Sequence, residues 1–284
     1  MSRIVYVNGA YLPEEEATIS IFDRAFLFGD AVYEVTAVLD GRLVDFAAHL
    51  SRLDNSLKEI ALSPPMSHAD LRKLHEELIG RNGVEEGVVY LHISRGAADR
   101  DFAYPENTAP TVVAFTQSRP LIDHAFAETG VKIVTIPDQR WKRRDIKSTS
   151  MLAQAMGKQA AKLKGAYEAW MVEDGVVTEG TSSTAFILDA AGVLRTQPLG
   201  PHILPGVTRR AVLRLAAQEG VRLEERPFSV AEALAAREAF MTAASAFVLP
   251  VVEIDGVPVG DGRPGPVSRA FRRIYIEEAR KAES

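Results

Sequence analysis

The chain has 284 residues, 46% of them hydrophobic and 25% charged, and its formal charge of −5 gives no electrostatic reason to expect a nucleic-acid or anionic-membrane partner. It contains no cysteine, which excludes disulfides, thiolate catalysis and thiolate-held metals. The length suits one or two domains of roughly 100–200 residues each; no apolar run reaches transmembrane length and MSRIVYVNGAYL has no secretory pattern, so the expected location is the cytoplasm.

In chain order, Asn8-Gly9 lies between β-rich runs in IVYVNGAYL, and Asp40-Gly41 repeats the arrangement in VYEVTAVLDGRLVDF; both predict hairpins. Phe46, Leu50, Leu53, Leu57 and Ile60 form a helical apolar stripe, with His49, Arg52 and Ser56 beside it. Ser67-His68-Ala69-Asp70 resembles a capping box opening a helix through Leu71, Leu74 and Leu78, with Gly80 as its stop. Strands over 88–94 and 111–117 follow, and Ser118-Arg119-Pro120 reads as a linker. A second set of elements opens near Val131-Lys132-Ile133-Val134. Within it Asp174-Gly175 and Asp255-Gly256 predict two more hairpins, and Ser229-Val230-Ala231-Glu232 a second capping box. After Pro266 a last helix turns Phe271, Ile274 and Tyr275 inward. The expected fold is α+β, with domains over 1–117 and 123–284 joined by a linker over 118–122.

The chemistry concentrates in three segments of the second half. Lys147 is one of nine lysines, and most lysines are surface residues. Its placement sets it apart: a strand ends at Ile136, the loop DQRWKRRDIK follows, and Ser148, Thr149 and Ser150 offer N-caps to a helix from about Met151 to Lys164. The neighbouring Arg140, Lys142, Arg143 and Arg144 would lower its amine pKa from the reference of about 10.4 and prepare it as a nucleophile or Schiff-base former. The competing reading is a basic patch that is solvated or binds an anionic polymer. Next, Gly206-Val207-Thr208 opens a helix with Val212, Leu215 and Ala216 on its apolar face and Gly220 as its stop; its unpaired amides make a phosphate seat. Finally, Glu179 leaves a hairpin strand into Gly180-Thr181-Ser182-Ser183-Thr184, either a polar loop or an acid facing a cationic ring nitrogen with hydroxyls lining a ligand. A reactive lysine, an anion seat and a lone carboxylate are what pyridoxal 5′-phosphate requires.

At these residues the sequence resembles the class IV, fold type IV, pyridoxal-phosphate-dependent aminotransferases, and among them the bacterial D-amino-acid aminotransferases. The likeness runs through VNGAYLP, FDRAFLFGDAVYEV, HLSRL, RWKRRDIKS, TEGTSSTAF, ILPGVTRR and PVVEIDG. It implies a smaller N-terminal α/β domain with an antiparallel sheet and a larger, barrel-like C-terminal domain with helices. It further implies a homodimer with its active site at the subunit interface. Lys147 would form the Schiff base and later move the substrate proton, Arg52 would clamp the phosphate with Gly206, Val207 and Thr208, and Glu179 would pair with the pyridine nitrogen. Tyr33 would line the substrate side, and Arg140 would stand behind the cofactor's partners. Arg100 matches an arginine that holds the substrate carboxylate across the dimer interface; Phe102 stands where the family usually places a histidine in the same trap. Ala244 falls where a threonine commonly reaches the phosphate, which leaves Thr242 or Ser245 to serve. Arg144 replaces the cysteine that often precedes the DIK triplet. The activity implied is ping-pong transamination between a D-amino acid and a 2-oxo acid such as pyruvate or 2-oxoglutarate, by way of pyridoxamine phosphate. An R-selective amine transaminase, an L-branched-chain aminotransferase and an aminodeoxychorismate lyase are the alternatives on the same scaffold, and a non-catalytic anion binder using Arg140–Lys147 is the alternative of another class.

Overall fold

The computed structural model describes residues 2–281, and the chain divides into two compact units. One comprises the chain through Pro120 together with Ile146–Ser150; the other comprises Leu121–Asp145 and Met151–Lys281.

In the first unit β1 (Ile4–Val7), β2 (Ala10–Pro13), α1 (Arg24–Phe28), β3 (Ala31–Leu39), β4 (Arg42–Leu43), α2 (Phe46–Glu59), α3 (His68–Asn82), β5 (Glu86–Ser94) and β6 (Thr111–Ser118) follow in order. The strands form an antiparallel sheet in the order β2-β1-β6-β5-β3-β4. Both expected hairpins are present, because Asn8 and Gly9 (φ 47° and 98°) and Asp40 and Gly41 (φ 50° and 70°) supply the two left-handed residues of a tight turn whose twist matches the strands. Alternation along β3 sorts its side chains: Val32 and Val38 join Leu50, Leu53 and Leu57 of α2 and Leu74 and Leu78 of α3 in the core, while Tyr33 and Val35 stay half-exposed on the other face. The Ser67 hydroxyl caps α3 by accepting the Asp70 amide at 3.1 Å. The helix ends at Gly83 (φ 58°) and not at Gly80, because Leu78 and Ile79 still pack into the core and the left-handed turn comes only after them. Ile146 is buried in this same core, so Ile146–Ser150 belong with the first unit although the expected 123–284 domain took them in.

The second unit contains β7 (Val131–Pro137), α4 (Leu152–Leu163), β8 (Glu168–Glu173), β9 (Val176–Gly180), β10 (Thr184–Leu188), β11 (Leu194–Thr196), α5 (Val207–Gln218), β12 (Leu223–Glu225), α6 (Val230–Leu234), β13 (Glu238–Ala243), β14 (Phe247–Ile254), β15 (Val257–Pro258) and α7 (Pro266–Lys281). Its mixed sheet runs β12-β11-β10-β13-β14-β7-β8-β9, with β15 on β14. The Asp174-Gly175 and Asp255-Gly256 hairpins form with the same pair of positive φ angles. Ser229 and Glu232 make the expected reciprocal capping box on α6. On α7 Phe271 and Tyr275 are buried, while Ile274 is only half-buried. Ser148, Thr149 and Ser150 do not cap α4, whose N-cap is Met151 without a side-chain bond. The backbone of the first two is committed elsewhere: Ser148 bridges to Val32, and the Thr149 amide donates to the Ala31 carbonyl at 3.0 Å. The architecture is α+β. Among the described residues no helix is long and apolar enough to cross a membrane.

Candidate active site

Lys147 is held by its backbone from both sides within the first unit. Its amide donates to Ser56 Oγ of α2 at 3.2 Å, and its carbonyl accepts from the Tyr33 amide of β3 at 3.0 Å. The half-buried side chain then lies against the open face of the sheet, with Nζ 4.1 Å from the centre of the Tyr33 ring. The sheet's inner face carries a different device. Arg52 grips Glu34 through Nε at 2.8 Å and Nη2 at 2.7 Å, and the same carboxylate lies 2.7 Å from His49 Nδ1. Burial alone would raise the Glu34 carboxyl, but Arg52 and His49 hold it well below the usual carboxylate range. Arg52 therefore reaches its place as half of a buried, bidentate ion pair.

In the second unit Glu179 sits near the end of β9, buried. It accepts from Arg140 Nη1, and from the Leu204 amide at 3.2 Å. Arg140 is itself anchored by Asp138, with Nη2 to Oδ2 at 2.7 Å, and the Thr178 hydroxyl closes on that oxygen at 2.6 Å. Burial raises the Glu179 carboxyl against the pull of Arg140. A carboxylate in this setting gains from a second cationic hydrogen-bond donor, which a protonated ring nitrogen would be.

The helix start behaves as an anion seat. Gly206 caps α5 with no side chain, so the first amides, those of Val207 and Thr208 among them, are unmet by a cap. A Cβ at Gly206 would come within 2.7 Å of Thr184 Oγ1, so the close approach here requires glycine. The hydroxyls of Thr208 and of Thr242 are buried without a hydrogen-bond partner among the described residues. Thr242 stands directly opposite Thr184 across the β10–β13 pair, whereas Ser245 is half-buried in the turn that follows. Orphaned buried donors beside unpaired amides suit a phosphate, and they favour Thr242 over Ser245 as the substitute for the threonine lacking at Ala244. Of the hydroxyl run, Thr181 and Ser182 are spent on Glu168 (3.0 and 3.2 Å), and the buried Ser183 Oγ has no partner among the described residues.

The basic run is largely neutralised. Arg140 pairs with Asp138 and Glu179, Lys142 with Glu173, Arg143 with Asp145, and Arg144 with Glu173 and Asp138. The expected pressure of these four cations on the lysine therefore has no unpaired charge behind it. Lys147 is the one cation of the run without a carboxylate partner among the described residues.

Arg100 and Phe102 lie on an exposed loop, where the guanidinium stacks 5.4 Å from the Phe28 ring and 5.3 Å from the Phe102 ring. Arg24, buried and paired with Asp30, donates to the Asp101 carbonyl at 2.6 Å and so fixes this loop. Sequence reading passed over Glu34, Asp138, Leu204 and Arg24. Glu34 had a usable signal, since it follows Tyr33 on β3 and must face the core side of a strand whose other face is open.

Residues 31–254, from the start of β3 to the end of β14, match the family described as amino-transferase class IV, and the chain belongs to that family. It is a pyridoxal-phosphate-dependent transaminase with the type IV fold. Among particular proteins it is similar to the D-alanine aminotransferase of Bacillus licheniformis, 38% identical over 283 residues that cover 98% of this chain and 99% of that one. It is also similar to the D-alanine aminotransferase of Staphylococcus aureus (strain MSSA476), 37% identical over 279 residues, 96% and 98% of the two chains. Among solved structures it resembles the branched-chain aminotransferase of the thermophilic archaeon Thermoproteus uzoniensis with norvaline, with a TM-score of 0.89 and 26% identity over 100% of this chain and 97% of that one.

Proposed function

We propose that the protein moves an amino group from a D-amino acid to a 2-oxo acid such as pyruvate or 2-oxoglutarate, in two half-reactions that share Lys147. The observation that carries this reading is the state of Lys147: half-buried, pinned by its own backbone, and without a carboxylate partner in a run whose other cations are all paired. The D-configuration is taken from the two D-alanine aminotransferase relatives, whose likeness spans nearly the whole chain.

The bound cofactor supplies an aldehyde carbon for imine exchange and a ring that withdraws electrons from the substrate Cα. Lys147 Nζ is the amine that attaches it and, once displaced by substrate, the base that takes the Cα proton. Glu179, steadied by Arg140, keeps a proton on the ring nitrogen through a charge-assisted hydrogen bond. The Val207 and Thr208 amides, the Thr208 and Thr242 hydroxyls and Arg52 hold the phosphate. Tyr33 walls the substrate side, and Arg100 takes a carboxylate from across a homodimer. Apolar side chains left exposed at Ile19, Ile21, Phe22, Phe26 and Phe102, and at Leu152, Met156 and Leu163 of α4, support association with a second copy.

The purified protein is expected to be yellow, and borohydride reduction should attach the cofactor to the peptide containing Lys147. Lys147→Ala should lose both the absorption band and turnover. Mapping of the reduced cofactor to another lysine would sink the assignment, and conversion of L-leucine but not D-alanine in a single-turnover titration would overturn the stereochemistry.

A further inference from the structure

The open face of the first unit's sheet carries a polar constellation beside Lys147 that neither the sequence motifs nor the family match assigns. His92 of β5 is the residue directly opposite Tyr33 of β3. Opposed residues on one sheet face have Cβ atoms about 4.5–5.5 Å apart. Tyr90, two residues earlier on the same face, stacks on Tyr33 with ring centres 5.6 Å apart, and its hydroxyl lies 3.3 Å from His92 Nδ1. Tyr33 in turn holds the Lys147 ammonium over its ring. The lysine amine, two tyrosine rings and an imidazole thus share one surface.

The hydrogen bonding of His92 is one-sided. The Tyr90 hydroxyl can donate to Nδ1, and in that tautomer the ring proton resides on Nε2. Burial pushes the Tyr90 hydroxyl up to about 12, so it keeps its proton to donate. Burial also pulls His92 below its ordinary value against the field of Asp23, which leaves the ring neutral near pH 7. Nε2 has no protein partner among the described residues, and the side chain is only half-buried. His92 thus presents an uncommitted ring nitrogen on the sheet face where Tyr33 carries the Lys147 amine. Phe102 offers no comparable group: its ring is exposed and engaged with Phe28 and Arg100.

We propose that His92 is a specificity-determining residue whose Nε2–H, oriented by Tyr90, hydrogen-bonds the α-carboxylate of the amino acid while Tyr33 walls the Cα. This rests on the transaminase reading above and names the residue by which that site prefers amino acids over plain amines. Losing a hydrogen bond to an ionised group weakens binding by about 10- to 100-fold.

The test uses holoenzyme and compares His92→Phe, which keeps a ring without a donor, with His92→Gln, whose amide N–H can stand where Nε2 stood. Single-turnover titrations with D-alanine and with R-1-phenylethylamine give the contrast, and inhibition by propionate gives it again without turnover. For His92→Phe the half-saturating D-alanine concentration and the propionate inhibition constant should rise about 10- to 100-fold. The limiting rate and the response to the amine should stay within about threefold, and His92→Gln should recover most of the loss. Equal losses for amino acid and amine, no loss for D-alanine, or a loss confined to D-glutamate and its side-chain carboxylate would each overturn the role. The wild-type arm tests the underlying reading separately: if it converts L-leucine instead of D-alanine, the D-assignment falls, and the same two variants are then judged with L-leucine against the amine.

Discussion

The Thr208→Val substitution should move two measurements in opposite directions. Thr208 is 2% exposed, and its Oγ1 has no hydrogen-bond partner among the described residues. With no protein partner, that hydroxyl adds nothing to the fold of the apoprotein and carries a desolvation penalty of at most about 1–3 kcal/mol. Valine has nearly the same shape and the same β-branching, so its substitution near the start of α5 neither opens a cavity nor changes helix propensity by much. Urea unfolding of the apoprotein should therefore show a variant at least as stable as the parent, by up to roughly 2 kcal/mol. Cofactor binding should move the other way. A hydrogen bond to a charged phosphate contributes about 1.5–3 kcal/mol, which converts to ~10- to 150-fold in affinity. Pyridoxamine 5′-phosphate is the suitable probe, because it makes no covalent link to the lysine that could mask the phosphate contribution. Thr242→Val should repeat the pattern if both orphaned hydroxyls serve the same anion, and Thr208→Ser should preserve affinity. A destabilised Thr208→Val apoprotein with unchanged affinity would refute the reasoning, since it would mean that the hydroxyl serves the fold and not a ligand.

Two further outcomes follow from buried titratable groups. Burial pulls His75 from 6.5 to about 4, so the unfolded chain binds a proton that the folded one refuses; stability should fall as pH drops from about 6.5 toward 4, with a loss of about 2 kcal/mol between pH 7 and pH 5 that His75→Leu removes in urea unfolding at the two pH values. Arg140→Met should remove the main opposition to burial at Glu179 and leave the Leu204 amide, so the carboxyl, already above its ordinary value, should rise further and the acidic limb of the pH–rate profile should move to higher pH; an unmoved limb would show that Glu179 is not the counter-ion.

How far the sequence was legible depended on the range of the interaction. The four hairpins were readable because Asn-Gly and Asp-Gly carry their own backbone preference into two left-handed positions. Local reading failed where a competitor lay far along the chain. Ser148, Thr149 and Ser150 have ideal capping chemistry, yet β3, more than a hundred residues earlier, takes the backbone of Ser148 and Thr149. Gly80 is a plausible stop, but the core holds the helix on to Gly83. For the candidate site, residue types and order singled out Lys147, Glu179 and Thr208. The orphaned state of the Thr208 and Thr242 hydroxyls and the one-sided bonding of His92 arise only from packing, and no pattern of letters encodes them.

The cationic run shows why composition misleads. Counted along the chain, Arg140 to Lys147 is a concentrated positive segment in a protein of net charge −5, which by itself favours an anion-binding surface. In space its arginines are spent: Arg140 bridges Asp138 and Glu179, and Arg144, almost fully buried, joins Asp138 to Glu173. Buried guanidinium groups paired with carboxylates are withdrawn from a polyanion, and breaking such pairs leaves uncompensated buried charge at a cost of about 3–5 kcal/mol each. The run is therefore largely structural. It fixes Glu179 through Arg140 and anchors the loop that leads to Lys147, and the lysine stands apart from it by having its backbone tied to Ser56 and Tyr33 and its amine left without a carboxylate partner among the described residues.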